Sequence, residues 1–202
     1  MVEFLNPIFL INTLGLAGVL AIIFAESGLF FGFFLPGDSL LFTAGVLAAS
    51  GYFDIRYLVL GAAAAAILGD SVGYAFGARV GPKIFSREDS RFFKKSHLEK
   101  TANFYLKYGK KTIVLARFIP IVRTFAPILA GVGRMPYRLF LTYNVLGGIL
   151  WGAGLSFLGY FLGKSIPDVD RYLWPLIIVI ILTSFLPALK EFFNRASSRY
   201  TD

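Results

Sequence analysis

Arg117 and Arg123, with Pro120 between them and Pro127 just beyond, stand in a stretch that holds no Asp, Glu, Lys or His from Thr112 to Gly163. An arginine at bilayer depth costs roughly 2.5 to 3.5 kcal/mol on insertion scales, so such a group faces a wet cavity, a partner charge or an anionic ligand. The prolines remove donors and free carbonyls that lipid cannot satisfy. Irregular backbone at that depth survives only when it is buried in protein or lines a cavity. The chemistry on offer is anion binding, because the planar guanidinium fork meets phosphate or carboxylate oxygens at two points. Three carboxylates answer it from the first half of the chain: Glu26, Asp38 and Asp70. An acid beside an arginine lowers the cost of burying both, and it can carry protons if its surroundings shift its titration. The plainer reading of the same residues is a set of static ion pairs.

The elements that must position these groups are membrane helices. Of 202 residues 56% are hydrophobic, 22 are Phe and only 16% are charged, and mean hydropathy is +0.69. That composition predicts an all-α integral membrane protein, one domain over residues 1–202. The absence of Cys excludes disulfides and thiol chemistry. The start, Met1-Val2-Glu3-Phe4, lacks the positive flank of a secretory signal, so residue 1 onward reads as mature protein. Charge-free runs predict four crossings, at Phe4–Ala25, Tyr57–Ala78 with Asp70 inside it, Leu139–Gly163 and Tyr172–Leu189. Each approaches the roughly 20 residues a span needs. Between them lie two apolar segments broken in the middle, about 26–51 at Pro36-Gly37 and about 112–133 at Pro120 and Pro127. Both are expected to enter, turn and leave on one side, as re-entrant hairpins.

The net charge of +8 is placed for topology rather than for nucleic acid. Residues 79–111 carry ten Lys/Arg against Glu88, Asp89 and Glu99, a balance of +7, and include the sole histidine, His97. Positive-inside bias makes this loop cytoplasmic, and its interleaved aromatics also suit a helix lying on an anionic leaflet. Lys164–Arg171 is balanced and is assigned to the outside. Both termini then face the cytoplasm, in agreement with the tail residues Lys190, Arg195 and Arg199. Sliding the chain on itself by 86 residues aligns Ala44-Gly45-Val46 with Ala130-Gly131-Val132, Val59-Leu60-Gly61 with Val145-Leu146-Gly147, Gly73-Tyr74 with Gly159-Tyr160, Tyr57 with Tyr143 and Gly77 with Gly163, ten identities over positions 44–77. The matched spans would run in opposite directions. Hairpin plus helix, repeated with inverted topology, is a transporter-like plan with its site near the midplane. The glycines in these spans read mainly as close helix packing.

At these residues the chain resembles the DedA family, also described as SNARE-associated or VTT-domain membrane proteins. The resemblance rests on Glu26, Phe34-Leu35-Pro36-Gly37-Asp38-Ser39-Leu40-Leu41, Gly69-Asp70 followed by Gly73-Tyr74, and Arg117-Phe-Ile-Pro120-Ile-Val-Arg123 running into Pro127 and Ala130-Gly131, and it extends from about Gly15 to Gly163. It implies two opposed re-entrant hairpins, dependence on the proton motive force, and lipid translocation in a bacterial or archaeal inner membrane, with undecaprenyl phosphate as the leading cargo. By match, Glu26 and Asp38 take the place of the family's essential acids, and Arg117 and Arg123 of its essential arginines. Asp70 joins the acids as a proton-coupling candidate. The expected partners are membrane lipids, a polyprenyl phosphate and protons, with no cofactor, metal or nucleic acid. Rival readings are a proton-coupled exporter or ion antiporter using the same acids and a general phospholipid scramblase. An enzyme acting on lipid phosphates is disfavoured, since His97 lies in the basic loop and no Cys is present.

Overall fold

The computed structural model describes residues 7–29, 32, 35–85, 113–114, 117, 120–165 and 175, with side chains left aside at 81–85 and 120–121. Among these residues all regular structure is helical. The principal helices are α1 (Pro7–Gly28), α2 (Gly37–Ala49), α3 (Ile55–Phe85), α4 (Pro120–Val132) and α5 (Tyr137–Ser165). Three are long and apolar enough to cross a membrane: α1, the Ile55–Val80 part of α3, and α5. The shorter α2 and α4 are apolar as well. The expected fourth crossing at 172–189 lies outside the described residues, apart from Pro175, and so does the basic segment from 86 to 111 with His97.

Three boundaries differ from the sequence reading. Glu26 does not open a hairpin; α1 runs on through it to Gly28, and α2 begins at Gly37. The reason is that Ala25-Glu26-Ser27 has no helix breaker, and a charge alone does not end a helix. The expected loop at 79–111 overlaps α3, which continues to Phe85. Pro127 is not a break: it sits inside α4, while Pro120 supplies the first residue of that helix. Proline is well placed at a helix start, where its missing N–H would have had no partner. At Pro127 it removes only the bond that would run to the carbonyl of Arg123.

Local chemistry explains the ends. Gly15 has φ +61 and ψ −162 inside α1, a conformation that glycine alone adopts without strain, and it interrupts the helical path there. Asp54 caps α3: its carboxylate accepts the Arg56 amide at 2.8 Å, and that bond holds the Asp54 carboxyl below the usual range. Helices α2 and α4 end alike. After α2, Gly51 (φ +84) donates to the Ala48 carbonyl and Tyr52 to that of Leu47; after α4, Arg134 (φ +53) donates to Gly131 and Met135 to Ala130. Both are Schellman closures with a left-handed residue after the cap.

Packing repeats the same pattern. A Cβ on Gly159 of α5 would stand 2.1 Å from the Phe42 carbonyl oxygen of α2, and one on Gly45 would stand 2.3 Å from that of Ser156. On the other side, a Cβ on Gly77 of α3 would lie 2.0 Å from the Ile128 carbonyl oxygen of α4, and one on Gly131 would lie 2.1 Å from that of Tyr74. Glycine is therefore required at all four places. The 86-residue shift pairs Phe42 with Ile128, Gly45 with Gly131 and Gly77 with Gly163. Each short helix thus rests on the long helix of the other half of the chain. The two contacts differ by one helical turn, since Phe42 meets Gly159 rather than Gly163. The largest apolar core lies among Ile11, Val19, Ile23, Leu40, Leu41 and Leu58.

Candidate functional site: two buried arginine clusters

Arg123 lies in the first turns of α4, where the positive end of the helix dipole disfavours a cation. It is 7% exposed. Two acids compensate it. Its Nη1 donates to Asp38 Oδ1 at 2.5 Å, and its Nη2 donates to Glu26 Oε1. Glu26 comes from the last turn of α1 and Asp38 from the first turn of α2, where a carboxylate is favoured by that helix's dipole. The end of α1 and the start of α2 thus meet at Arg123. Gly37 makes the approach possible, because a Cβ there would fall 1.4 Å from Glu26 Oε2. Trp151 of α5 completes the arrangement: its indole N–H donates to Asp38 Oδ1 at 2.9 Å, and the Arg123 guanidinium carbon lies 4.8 Å from the centre of its ring.

The second cluster is built on α3 and α5. Arg117 donates through Nη2 to Asp70 and to Asn144 Oδ1 at 3.0 Å, and makes a longer contact of 3.4 Å with the Ala66 carbonyl oxygen. Asn144 in turn donates to the Ile67 carbonyl at 3.0 Å. Gly148 leaves space for the guanidinium, as a Cβ there would stand 2.7 Å from Arg117 Nη1. Arg117, Asp70 and Asn144 are all buried.

All five charged residues singled out in the sequence therefore occupy the interior, Asp38 as its most exposed member. They divide, however, into Glu26–Asp38–Arg123 and Asp70–Arg117 rather than forming one group around both arginines. Arg134 and Arg138 are exposed. Two residues were missed. Asn144 carries the only side-chain amide between Thr112 and Gly163, a signal that was there to read. Trp151 is one of two tryptophans, and nothing in its local sequence marks it. Gly148, taken with its neighbours as a helix-packing position, also serves to admit Arg117.

Long apolar helices around buried, paired charges define a helical membrane protein with a polar interior. The family described as VTT domain matches residues 35–161. An uncharacterized membrane protein of Mycobacterium leprae is 47% identical over 191 residues, covering 92% of this chain and 85% of its own. The protein DedA of Escherichia coli K12 is 48% identical over 182 residues, covering 88% and 83%. An uncharacterized membrane protein of Mycobacterium tuberculosis H37Rv is 46% identical over 197 residues, covering 94% and 86%. The chain belongs to the VTT-domain, or DedA, family of membrane proteins. No solved structure matches it.

Proposed function

We propose that the chain is a single membrane domain that translocates a polyprenyl lipid phosphate, with undecaprenyl phosphate the leading cargo, at the expense of the proton gradient. The observation that carries this reading is the sharing of one guanidinium by two carboxylates, Glu26 and Asp38. Fully ionised, that triad has a formal charge of −1, so one proton neutralises it and a second frees Arg123 to meet another anion. A lipid phosphate supplies the oxygens that the departing carboxylates vacate, and the two-point geometry of arginine suits it. Protons and anion then occupy the site together, which couples the movement of the head group to the gradient while the tail stays in lipid. Arg117 enters as the second cation, although its pairing with Asp70 and Asn144 favours an anchoring part.

The test is translocation in vesicles holding only this protein, with undecaprenyl phosphate and ordinary phospholipids compared with and without a pH gradient. Gradient-dependent movement of the polyprenyl phosphate alone is expected. Glu26→Gln and Asp38→Asn keep shape and hydrogen bonding and should insert normally yet lose the gradient-driven part. Equal movement of unrelated head groups without a gradient would make the protein a scramblase. Ion flux without lipid movement would make it an antiporter.

In this reading Tyr57–Ala78 and Leu139–Gly163 cross in opposite directions, each preceded by a re-entrant hairpin, in the inner membrane of the cell, with both termini inside. The chain has no Cys, so single introduced cysteines report sidedness without background. Ser90→Cys and Ser197→Cys should react with an impermeant thiol reagent only from the cytoplasm, and Ser165→Cys only from outside. Positions 90 and 165 reacting from the same face would remove the inverted arrangement.

A further inference from the structure

Each short helix rests on a long one through a glycine, and the two contacts are the same contact set one turn apart. A Cβ on Gly159 of α5 would meet the Phe42 carbonyl oxygen of α2, and one on Gly45 of α2 would meet the Ser156 carbonyl oxygen and the Tyr160 amide. In the other half, a Cβ on Gly77 of α3 would meet the Ile128 carbonyl oxygen of α4, and one on Gly131 of α4 would meet the Tyr74 carbonyl oxygen and the Ala78 amide. In both halves that carbonyl stands three residues before the long helix's glycine, and that amide one residue after it. The 86-residue shift equates Gly73 with Gly159 and Gly77 with Gly163. Both long helices therefore carry the same two glycine seats, four residues apart. Helix α2 occupies the first and α4 the second. A Cβ on Gly73, the first seat of α3, would have no atom nearer than 3.5 Å. The present packing does not require glycine there, whereas packing in the register of the other half would.

We propose that α2 and α4 slide as one body along α5 and α3 by one helical turn, about 6 Å, α2 passing from Gly159 to Gly163 and α4 from Gly77 to Gly73. Packed elements have discrete arrangements, and one-turn ratchets of one past another are a known form of switching. The directions agree. Helix α2 runs parallel to α5, with Asp38 at Trp151, Phe42 at Gly159 and Ala49 at Gly163, and α4 runs parallel to α3, with Pro127 at Gly73, Ile128 at Gly77 and Gly131 at Ala78. The long helices are antiparallel, Ala63 lying at Gly152 and Ile67 at Gly148. A step toward the C-terminus of α5 and a step toward the N-terminus of α3 are thus a single displacement toward Ile55. Asp38 and Arg123, one on each moving helix, keep their pair. Trp151 on α5 and Glu26 on α1 stay behind, for α1 is fastened to α3: a Cβ on Gly28 would lie 2.6 Å from the Gly69 carbonyl oxygen. The slide stands on the packing alone. That it carries an anionic head held by Arg123 rests on the translocation reading.

The experiment uses the full chain in vesicles of phosphatidylethanolamine and phosphatidylglycerol, with spin labels on introduced cysteines and distances read by pulsed electron paramagnetic resonance. Ser50→Cys with Leu150→Cys reports α2 on α5, and Leu60→Cys with Leu129→Cys reports α4 on α3; all four positions are exposed. Each pair should show two distances about 6 Å apart, the second register lengthening the first pair and shortening the other, in equal proportions. Gly73→Ala is the decisive variant. Its methyl group has room in the present packing and alanine favours a helix, so the protein should melt no lower than the parent. It should nevertheless leave one distance in both pairs, that of the present register, and lower lipid movement at least about tenfold. Gly154→Ala, which points into open space, should change neither. A single distance in both pairs at neutral and acid pH alike would overturn the slide, and so would a second distance that persists in Gly73→Ala. Unequal proportions in the two pairs would overturn the movement as one body. Two registers in a protein that moves no lipid would keep the slide and reject the translocation, whereas undiminished gradient-driven movement by Gly73→Ala would do the reverse.

Discussion

Arg123→Gln is expected to strip most of the folded protein from the membrane. The guanidinium is buried and is shared by Glu26 and Asp38, so its removal leaves two interior carboxylates without their cation. Removing one partner of a buried pair costs about 3 to 5 kcal/mol. Against a total stability of roughly 5 to 15 kcal/mol, that is enough to empty the folded state in a marginal protein. The triple replacement Glu26→Gln, Asp38→Asn, Arg123→Gln removes all three charges at once and should regain most of the loss, because neutral replacements of buried ions are often tolerated. The measurement is the amount of monodisperse protein after detergent extraction and stepwise heating. A single variant as abundant and heat-resistant as the parent would mean that the triad carries no stability.

Arg123→Lys separates holding from binding. Lysine keeps the charge but replaces a five-donor fork with a compact ammonium. It can neutralise Glu26 and Asp38, and abundance should stay close to that of the parent. It cannot offer two parallel donors to a phosphate or lay a flat cation on Trp151, which Arg123 does at 4.8 Å. If Arg123 grips a phosphate, lipid binding or movement should fall at least about tenfold, roughly 1.4 kcal/mol. Undiminished binding with strong energetic coupling between Arg123 and Asp38 would reject the grip and leave a structural clasp.

The charged residues were legible because lipid makes them expensive: Glu26, Asp38, Asp70, Arg117 and Arg123 stand out in apolar surroundings, and all lie inside the described structure. Their pairing was not legible. Which acid meets which arginine depends on α1 running through Glu26 and on α4 resting upon α3, neither of which the local sequence dictates. Charge-free runs located α1, α3 and α5 to within a few residues at most ends, with α3 running on to Phe85. Breaks were harder, because proline has opposite meanings at the start of a helix and within it: Pro120 begins α4 and Pro127 lies inside it. The repeat was visible as ten identities. Its packing, with each short helix lying on the other half's long one, is a tertiary fact, and so is the contribution of Trp151.

The Asp70–Arg117 pair should respond unequally to the loss of either member. Arginine keeps its charge in a protein interior, whereas a buried acid can shed its charge by taking a proton. Asp70→Asn therefore strands a permanent cation, with Asn144 and the Ala66 carbonyl as its remaining described acceptors. A loss of about 3 to 5 kcal/mol is expected, larger than that of Arg117→Gln. The double variant Asp70→Asn, Arg117→Gln should be more stable than Asp70→Asn alone, with non-additivity of about 0.5 to 3 kcal/mol for a pair in direct contact. Melting of the purified variants measures this, and simple additivity would show that the contact carries no energy. The same double variant then decides what Arg117 is for. If it only fastens the segment before α4 to α3 and α5, the neutral pair, still joined to Asn144 by amide hydrogen bonds, should fold and move lipid at close to the parental rate. If it binds the phosphate head with Arg123, the neutral pair should fold equally well and yet move at least about tenfold less, because stability returns with neutrality while a cation for the phosphate does not.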